Sequence, residues 1–224
     1  MISARREPEM QEPEAAGFVL AGGRSSRMGA DKALLRFRGR PLIVNALEVL
    51  REAGLTSAIA GARSPSLRKY AQVIEDAVPD LGPLGGVCAA LASTKLPHAV
   101  FLPVDLPLLP ASLPDYLLHH ARHTGAAVTL CSVNGFALTF PAVVCPGMLG
   151  ALRKELDAGR RGCFSAFLAA SGRQVAVLPV EILIQAGQVA HPDGLPAVHW
   201  FLNMNTAEDL RRAELLFDRR NRVV

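Results

Sequence analysis

From residue 17 to residue 123, short apolar runs alternate with longer segments whose apolar residues recur at helical spacing. This alternation constrains the fold more than any other feature of the chain. Residues 17–21 read as a buried strand running into Gly22-Gly23. Residues 41–53 carry Leu42, Ile43, Ala46, Leu47 and Leu50 on one helical face, with Pro41 at the first helical position and Gly54 as the stop. Residues 56–60 and 72–74 read as strands, 82–92 as a helix of small residues, 99–104 as a strand ending at Asp105, and 111–123 as a helix. Strands alternating with helices predict an α/β fold with a central, mostly parallel sheet covered on both faces. Ligands of such sheets bind outside the carboxyl ends of the strands. Gly22-Gly23, Glu75-Asp76 and Asp105 each fall just past such an end, so the three groups are expected to converge on one crevice.

The second half is less regular. Residues 124–152 contain no charged side chain, but Asn134-Gly135, Pro141 and Pro146 interrupt them, which argues for strands rather than a membrane span. Residues 126–133 and 136–144 read as a hairpin, because Asn-Gly tolerates the positive φ of a tight turn. Helices are expected over 146–157 and 163–170, around Gly159-Arg160-Arg161-Gly162, and strands over 174–180 and 198–202. A final helix runs from a Thr206 cap to about Phe217, with Glu208 and Asp209 in its first turn. Residues 1–16 are polar, rich in Glu with two prolines, and read as a mobile leader without the apolar core of a signal peptide.

At 224 residues the chain is long enough for one well-buried domain, and 50% hydrophobic content excludes disorder for its body. Only 5% of residues are aromatic, which disfavours a surface built for base or sugar stacking. The four cysteines form no C-x-x-C pair and sit among apolar neighbours, as expected of reduced structural thiols in a cytoplasmic protein. His119 and His123 stand one helical turn apart, but no third zinc ligand accompanies them, and a solvated helix face is expected.

The formal charge of +4 is unevenly spread: Arg24, Arg27, Lys32, Arg36, Arg38 and Arg40 lie in one stretch with Asp31 as its lone acid. A basic focus beside a glycine turn suits a small polyanion better than a nucleic-acid track. Glycines let backbone N–H groups approach an anion. The spacing matches neither the common phosphate loop nor the dinucleotide fingerprint. Asp105, framed by Pro103 and Pro107 at the end of a buried strand, is costly unless it is paired or holds a cation. Mg²⁺ favours one or two carboxylates plus substrate phosphates; a helix-capping or ion-paired Asp105 is the alternative. Asp76 reads equally well as a turn residue.

The run Leu20-Ala21-Gly22-Gly23-Arg24-Ser25-Ser26-Arg27-Met28-Gly29-Ala30-Asp31-Lys32 resembles the nucleotidyltransferase signature of the molybdenum cofactor guanylyltransferases. Three further segments agree in order: Val73–Asp76 with Gly82–Gly86, Leu102–Pro107, and 201–210. The resemblance implies a Rossmann-like three-layer nucleotidyltransferase fold over residues 17–224, with a nucleotide-binding half (17–123) and an acceptor-binding half (124–224). It implies transfer of GMP from GTP to molybdopterin, or its molybdenum-bound form, with release of pyrophosphate. By the same resemblance Leu20, Ala21, Gly22, Lys32, Asp76 and Asp105 bind GTP, with Lys32 and Asp105 catalytic. Asp105 also holds Mg²⁺, and Arg27, Asn203 and Asn205 line the acceptor side. A monomer or weak oligomer is expected, without nucleic-acid or membrane partners. The sequence departs from its relatives at Ala60-Gly61, where an Asn often stands, and in the hairpin 136–140, which lacks their His-Pro or Gln-Pro. Two alternatives stay open: a cytidylyl or other nucleotidyl transfer to a different phosphate-bearing acceptor, and a nucleotide-binding protein without turnover.

Overall fold

The computed structural model describes residues 14–22, 31–62, 64–76, 81–172 and 174–220. Its centre is a seven-stranded sheet. Five strands come from the first part of the pattern or flank it directly: β1 (Ala15–Leu20), β4 (Thr56–Ala60), β5 (Val73–Ile74), β6 (His98–Pro103) and β7 (Val128–Val133). β8 (Phe136–Val144) and β9 (Val175–Pro179) complete it in the order β5-β4-β1-β6-β8-β7-β9. β8 alone runs against its neighbours β6 and β7; the other pairings are parallel. β2 (Arg36–Phe37) and β3 (Arg40–Pro41) form a separate small hairpin.

The sheet is covered on both faces, as the alternation requires. Side chains of β1 divide between them with period two: Ala15 and Val19 join the core that includes Leu42, Ile43 and Leu50 of α1 (Leu42–Glu52) and Leu113 and Leu117 of α3 (Ser112–Thr124). Ala16, Phe18 and Leu20 join the opposite core. There they meet Leu84, Val87 and Leu91 of α2 (Gly82–Ser93), Leu152 of α4 (Leu149–Asp157) and Phe167 of α5 (Cys163–Ala170). Phe18 stacks on Phe101 of β6 with ring centroids 5.5 Å apart. Cys88, Cys131 and Cys163 are buried in these cores and Cys145 is half-buried. Burial pushes the Cys131 and Cys163 thiols up to about 12, so both are inert at neutral pH. No described helix is long and apolar enough to cross a membrane.

Several expectations are corrected. β1 begins at Ala15, inside the segment expected to be a leader: Ala15 and Ala16 are small and apolar, and they pair with His98 and Ala99 of β6. Residues 198–202 are not a strand. Pro196 precedes the short helix α7 (Ala197–Trp200), and buried Trp200 donates its indole N–H to the Leu195 carbonyl at 2.7 Å, which holds the helix against the core. Val180, read as the last residue of a strand, instead starts α6 (Val180–Gln185); Pro179 ends β9 and caps the helix, because a proline cannot continue the ladder but fits a helix entry. Pro41 stands just before α1 rather than in its first turn. The hairpin forms as expected, with Asn134 at φ 51° and Gly135 at φ 78°.

Phe101 is fully buried at the middle of β6. Phe101→Ala is expected to cost about 3–5 kcal/mol of unfolding free energy, read as a lower urea midpoint at unchanged slope.

Candidate active site

The chain leaves β1 toward β4 on one side and returns to β6 on the other. The carboxyl ends of β4, β1 and β6 are therefore neighbours within about 10 Å, at the point where the strand order reverses. The end of β1 is fastened on both sides: Val104 donates its N–H to the Leu20 carbonyl at 3.2 Å, and Ala21 donates to the Ala60 carbonyl at 3.1 Å. The Leu20 side chain is buried under α2, so its segment offers backbone, not side chain, to the crevice.

Glycines make the floor. A Cβ at Gly22 would stand 2.5 Å from the Gly61 carbonyl oxygen, and one at Gly86 would stand 3.3 Å from the Gly61 Cα. Gly61 itself has φ 70°, so the end of β4 turns back over the other two glycines. Three backbones meet where side chains would have kept them apart. Gly61 was legible only as a glycine after a strand, and its role as the middle layer of this contact is a finding of the structure. The paired acids after β5 part company: Glu75 turns outward to Arg68 at 2.5 Å, while the Asp76 carboxylate faces the first turn of α2. A Cβ at Gly85 would lie 3.4 Å from Asp76 Oδ2. A carboxylate there is favoured by the positive end of the helix dipole.

The second group of candidate side chains comes from three distant segments. Asp31 caps a short 3₁₀ turn by accepting the Ala33 N–H at 3.1 Å, and buried Ala33 anchors that turn. Lys32 begins the turn and donates to Asp105 Oδ2 at 2.7 Å and to Asn205 Oδ1 at 2.5 Å. The Lys32 and Asp105 side chains are only 20% and 22% exposed, so the ion pair is partly shielded from water. Asn205 is delivered by alternation: Met204 is buried, and Asn203 and Asn205 on either side face outward. Met204 also donates its N–H to the Asp105 carbonyl at 3.0 Å.

The start of α8 (Ala207–Arg220) fixes the same loop. Thr206 Oγ1 accepts the Asp209 N–H at 3.0 Å, and Asp209 Oδ2 accepts the amides of Thr206 and Asn205 at 2.8 and 3.0 Å. The Thr206 cap was readable; the reciprocal bond that holds the Asn205 backbone was not.

Lys32, Asp105 and Asn205 are thus brought into direct contact, and Leu20, Ala21, Gly22 and Asp76 stand around the adjoining glycine floor. Asn203, two residues before Asn205, is exposed. Arg27, with Gly23 and the rest of the basic loop to residue 30, lies outside the described residues. The His119 and His123 rings lie tilted at 34° with centroids 4.1 Å apart, and no cluster of metal-ligating side chains occurs among the described residues. A separate groove between α1 and the 107–112 and 190–193 segments, lined by Arg40, Glu48, Leu109 and His191, contains none of the expected site residues.

Two outcomes test this geometry. Gly22→Ala forces the Gly61 turn away from β1; a loss of about 1–3 kcal/mol and faster hydrogen exchange at the Ala21 amide are expected. The Thr206 hydroxyl, followed by the Thr206 and Asn205 amides, holds the Asp209 carboxyl below its ordinary value. Its stabilisation is then complete above the unfolded carboxylate value of about 3.9 and is lost as pH falls through the lower folded value. Asp209→Asn should flatten the fall of the melting temperature below about pH 4.

Comparison with known proteins supplies the lineage. Residues 17–177 match the family model described as MobA-like NTP transferase domain. The chain is 47% identical to the molybdenum cofactor guanylyltransferase of Xanthomonas euvesicatoria over 108 residues, which span 48% of this chain and 55% of that protein. It is 32% identical over 210 residues to a probable molybdenum cofactor guanylyltransferase of Haloferax mediterranei, covering 88% of this chain and 91% of the other. Among solved structures, the molybdopterin-guanine dinucleotide biosynthesis protein A of Archaeoglobus fulgidus superposes with a TM-score of 0.72 at 21% identity, covering 91% of this chain and 99% of that one.

Proposed function

This chain belongs to the MobA-like NTP transferase family, and on that premise we propose that it transfers GMP from GTP to the terminal phosphate of molybdopterin, releasing pyrophosphate. The observation that carries the reading is the Lys32 ammonium held on the Asp105 carboxylate beside Gly22, at the reversal of strand order. A phosphate-binding cation and a cation-binding carboxylate stand together where the chain offers bare backbone to an anion.

The reaction is a displacement at phosphorus. An oxygen of the acceptor phosphate forms a bond to the α-phosphorus, the bond from that phosphorus to the bridging oxygen breaks, and pyrophosphate leaves with the electron pair. The attacking oxygen is already anionic, so no base is needed to generate it. The barrier lies in bringing two polyanions together in line, and position and charge are what this chain supplies. The Gly22 and Gly61 backbone admits the nucleotide close to the sheet. Asp76, on the α2 side, accepts hydrogen bonds from the nucleoside. Lys32 neutralises charge that builds on the departing pyrophosphate, and Asn203 and Asn205 orient the acceptor.

Asp105 fits a divalent cation on the structure's own terms, since its carboxylate already holds one positive charge at 2.7 Å. Asp105 would hold the ion, which would offset negative charge on the substrate phosphates. The family makes a divalent metal the expected cofactor, and Mg²⁺ is the proposed ion.

The test is pyrophosphate release on mixing the protein with GTP, Mg²⁺ and molybdopterin. Release that requires all three is expected, with CTP poorly used, because groups that pair with guanine are left unpaired by a pyrimidine. Asp105→Asn should lower the rate by about 10²–10³ or more while the melting transition survives. Equal kcat/KM for GTP and CTP would favour cytidylyl transfer; an unimpaired Asp105→Asn protein would overturn the catalytic assignment.

A further inference from the structure

Lys32 joins segments that are 73 and 173 residues away along the chain, and it does so through a single ammonium. That ammonium sits on Asp105 Oδ2, on the carboxylate proposed above to hold a divalent cation, and also on the amide oxygen of Asn205. The contact competes with the roles proposed above, since it uses two of the three N–H donors of the ammonium and neutralises the carboxylate. A lysine that neutralises phosphate cannot at once be fully engaged with Asp105 and Asn205. Asp105 with Lys32 on it presents a neutralised pair to an incoming cation, and Asn205 with its Oδ1 bound to Lys32 has that acceptor already engaged.

The surrounding structure permits an exchange without rearrangement of the backbone. Lys32 stands on a turn fixed by the Asp31 cap and by buried Ala33, so its position is set while its four-carbon stem can swing. The 203–205 loop is fastened independently of Lys32. Met204 bonds the Asp105 carbonyl and is buried, and Asp209 holds the Asn205 amide. When the ammonium leaves, the loop stays and the Asn205 side chain alone is freed. A triphosphate carries several negative charges, against one carboxylate and one neutral amide, and is the stronger partner for Lys32.

We propose that Lys32 is an intramolecular surrogate cation: without nucleotide it blocks the metal position on Asp105 and ties Asn205 to it, and a bound triphosphate draws it off and releases both groups together. The proposal rests on the reading of Lys32 and Asp105 as the phosphate and metal groups. Its consequences are that a divalent cation alone binds the free protein weakly, and that the acceptor-side asparagine becomes available only when nucleotide is present.

Two measurements on the full chain test it. In the first, free protein is titrated with Mn²⁺ without nucleotide, and unbound ion is followed by electron paramagnetic resonance. Lys32→Met, which keeps the length of the stem and removes its charge, should bind Mn²⁺ about fivefold or more tightly than the unaltered protein. Asp105→Asn should abolish that gain. Equal affinity of the unaltered and Lys32→Met proteins would overturn the proposal. In the second, the side-chain amide resonances of Asn205 are followed on addition of GTP in a chelator, without metal. They should move in the unaltered protein and should already lie near the released position in Lys32→Met. If the Gly22 and Gly61 backbone amides respond to GTP while the Asn205 side chain does not, the exchange is refuted and the nucleotide reading stands. If none of these signals responds, the nucleotide reading fails and the proposal with it.

Discussion

β1 and β6 pair in parallel register from Ala15 opposite His98 to Leu20 opposite Pro103, and the chain reaches β6 only after building β4 and β5 on the other side of β1. That pairing sets the reversal of strand order, and the reversal opens the crevice. It also aligns two termini of different character. β1 ends in Ala21-Gly22, which offers backbone alone, and β6 ends two residues before Asp105, which offers charge. Both strands are buried on both faces, so neither terminus can shift without moving the cores that hold it.

The two sides of the crevice are built on opposite principles. Around Gly22, Gly61 and Gly86 side chains are excluded, and the approach of three backbones is closer than any Cβ at Gly22 would allow. Around Asp105, side chains from two remote segments, Asp105 and Asn205, converge on the Lys32 ammonium. The first arrangement suits a ligand recognised through its contour and its hydrogen bonds to main chain. The second suits groups whose charge changes during reaction, because carboxylate, ammonium and amide can exchange partners while the backbone under them stays fixed.

Much of the first half was legible because each element there depends on local signals. Period-two and helical patterns gave β4, α2 and α3 to within about two residues, and glycines or acids marked the strand ends. What the sequence concealed depended on contacts between distant segments. Trp200 lies in a run that reads as a strand; its indole N–H finds the Leu195 carbonyl, and a helix after Pro196 buries the ring better than an extended chain would. The register of the second half is obscured for a related reason. Thr129 pairs with Val143 but Cys131 with Leu138, so β8 carries extra residues between them, and strict alternation fails in both strands. Gly61 had the same signature as Gly22, a glycine after a strand, but no local pattern tells which strand end will lie over which.

The 203–205 loop shows how little sequence is needed to place a polar side chain once the core is set. Asn203-Met204-Asn205 carries no periodic signal of its own. Met204 is drawn into the core that α1 and α3 share, its N–H is taken by the Asp105 carbonyl, and Asp209 closes the start of α8 on the Asn205 amide. Each tie is modest, roughly 1 kcal/mol for a hydrogen bond of this kind, and burial of the methionine adds about 2 kcal/mol. Together they leave the loop one orientation, with Asn205 toward Lys32. The side chain that faces the crevice is therefore the member of the loop with the fewest structural obligations: among the described residues its hydrogen bond is to the Lys32 ammonium, while its neighbours keep the backbone in place.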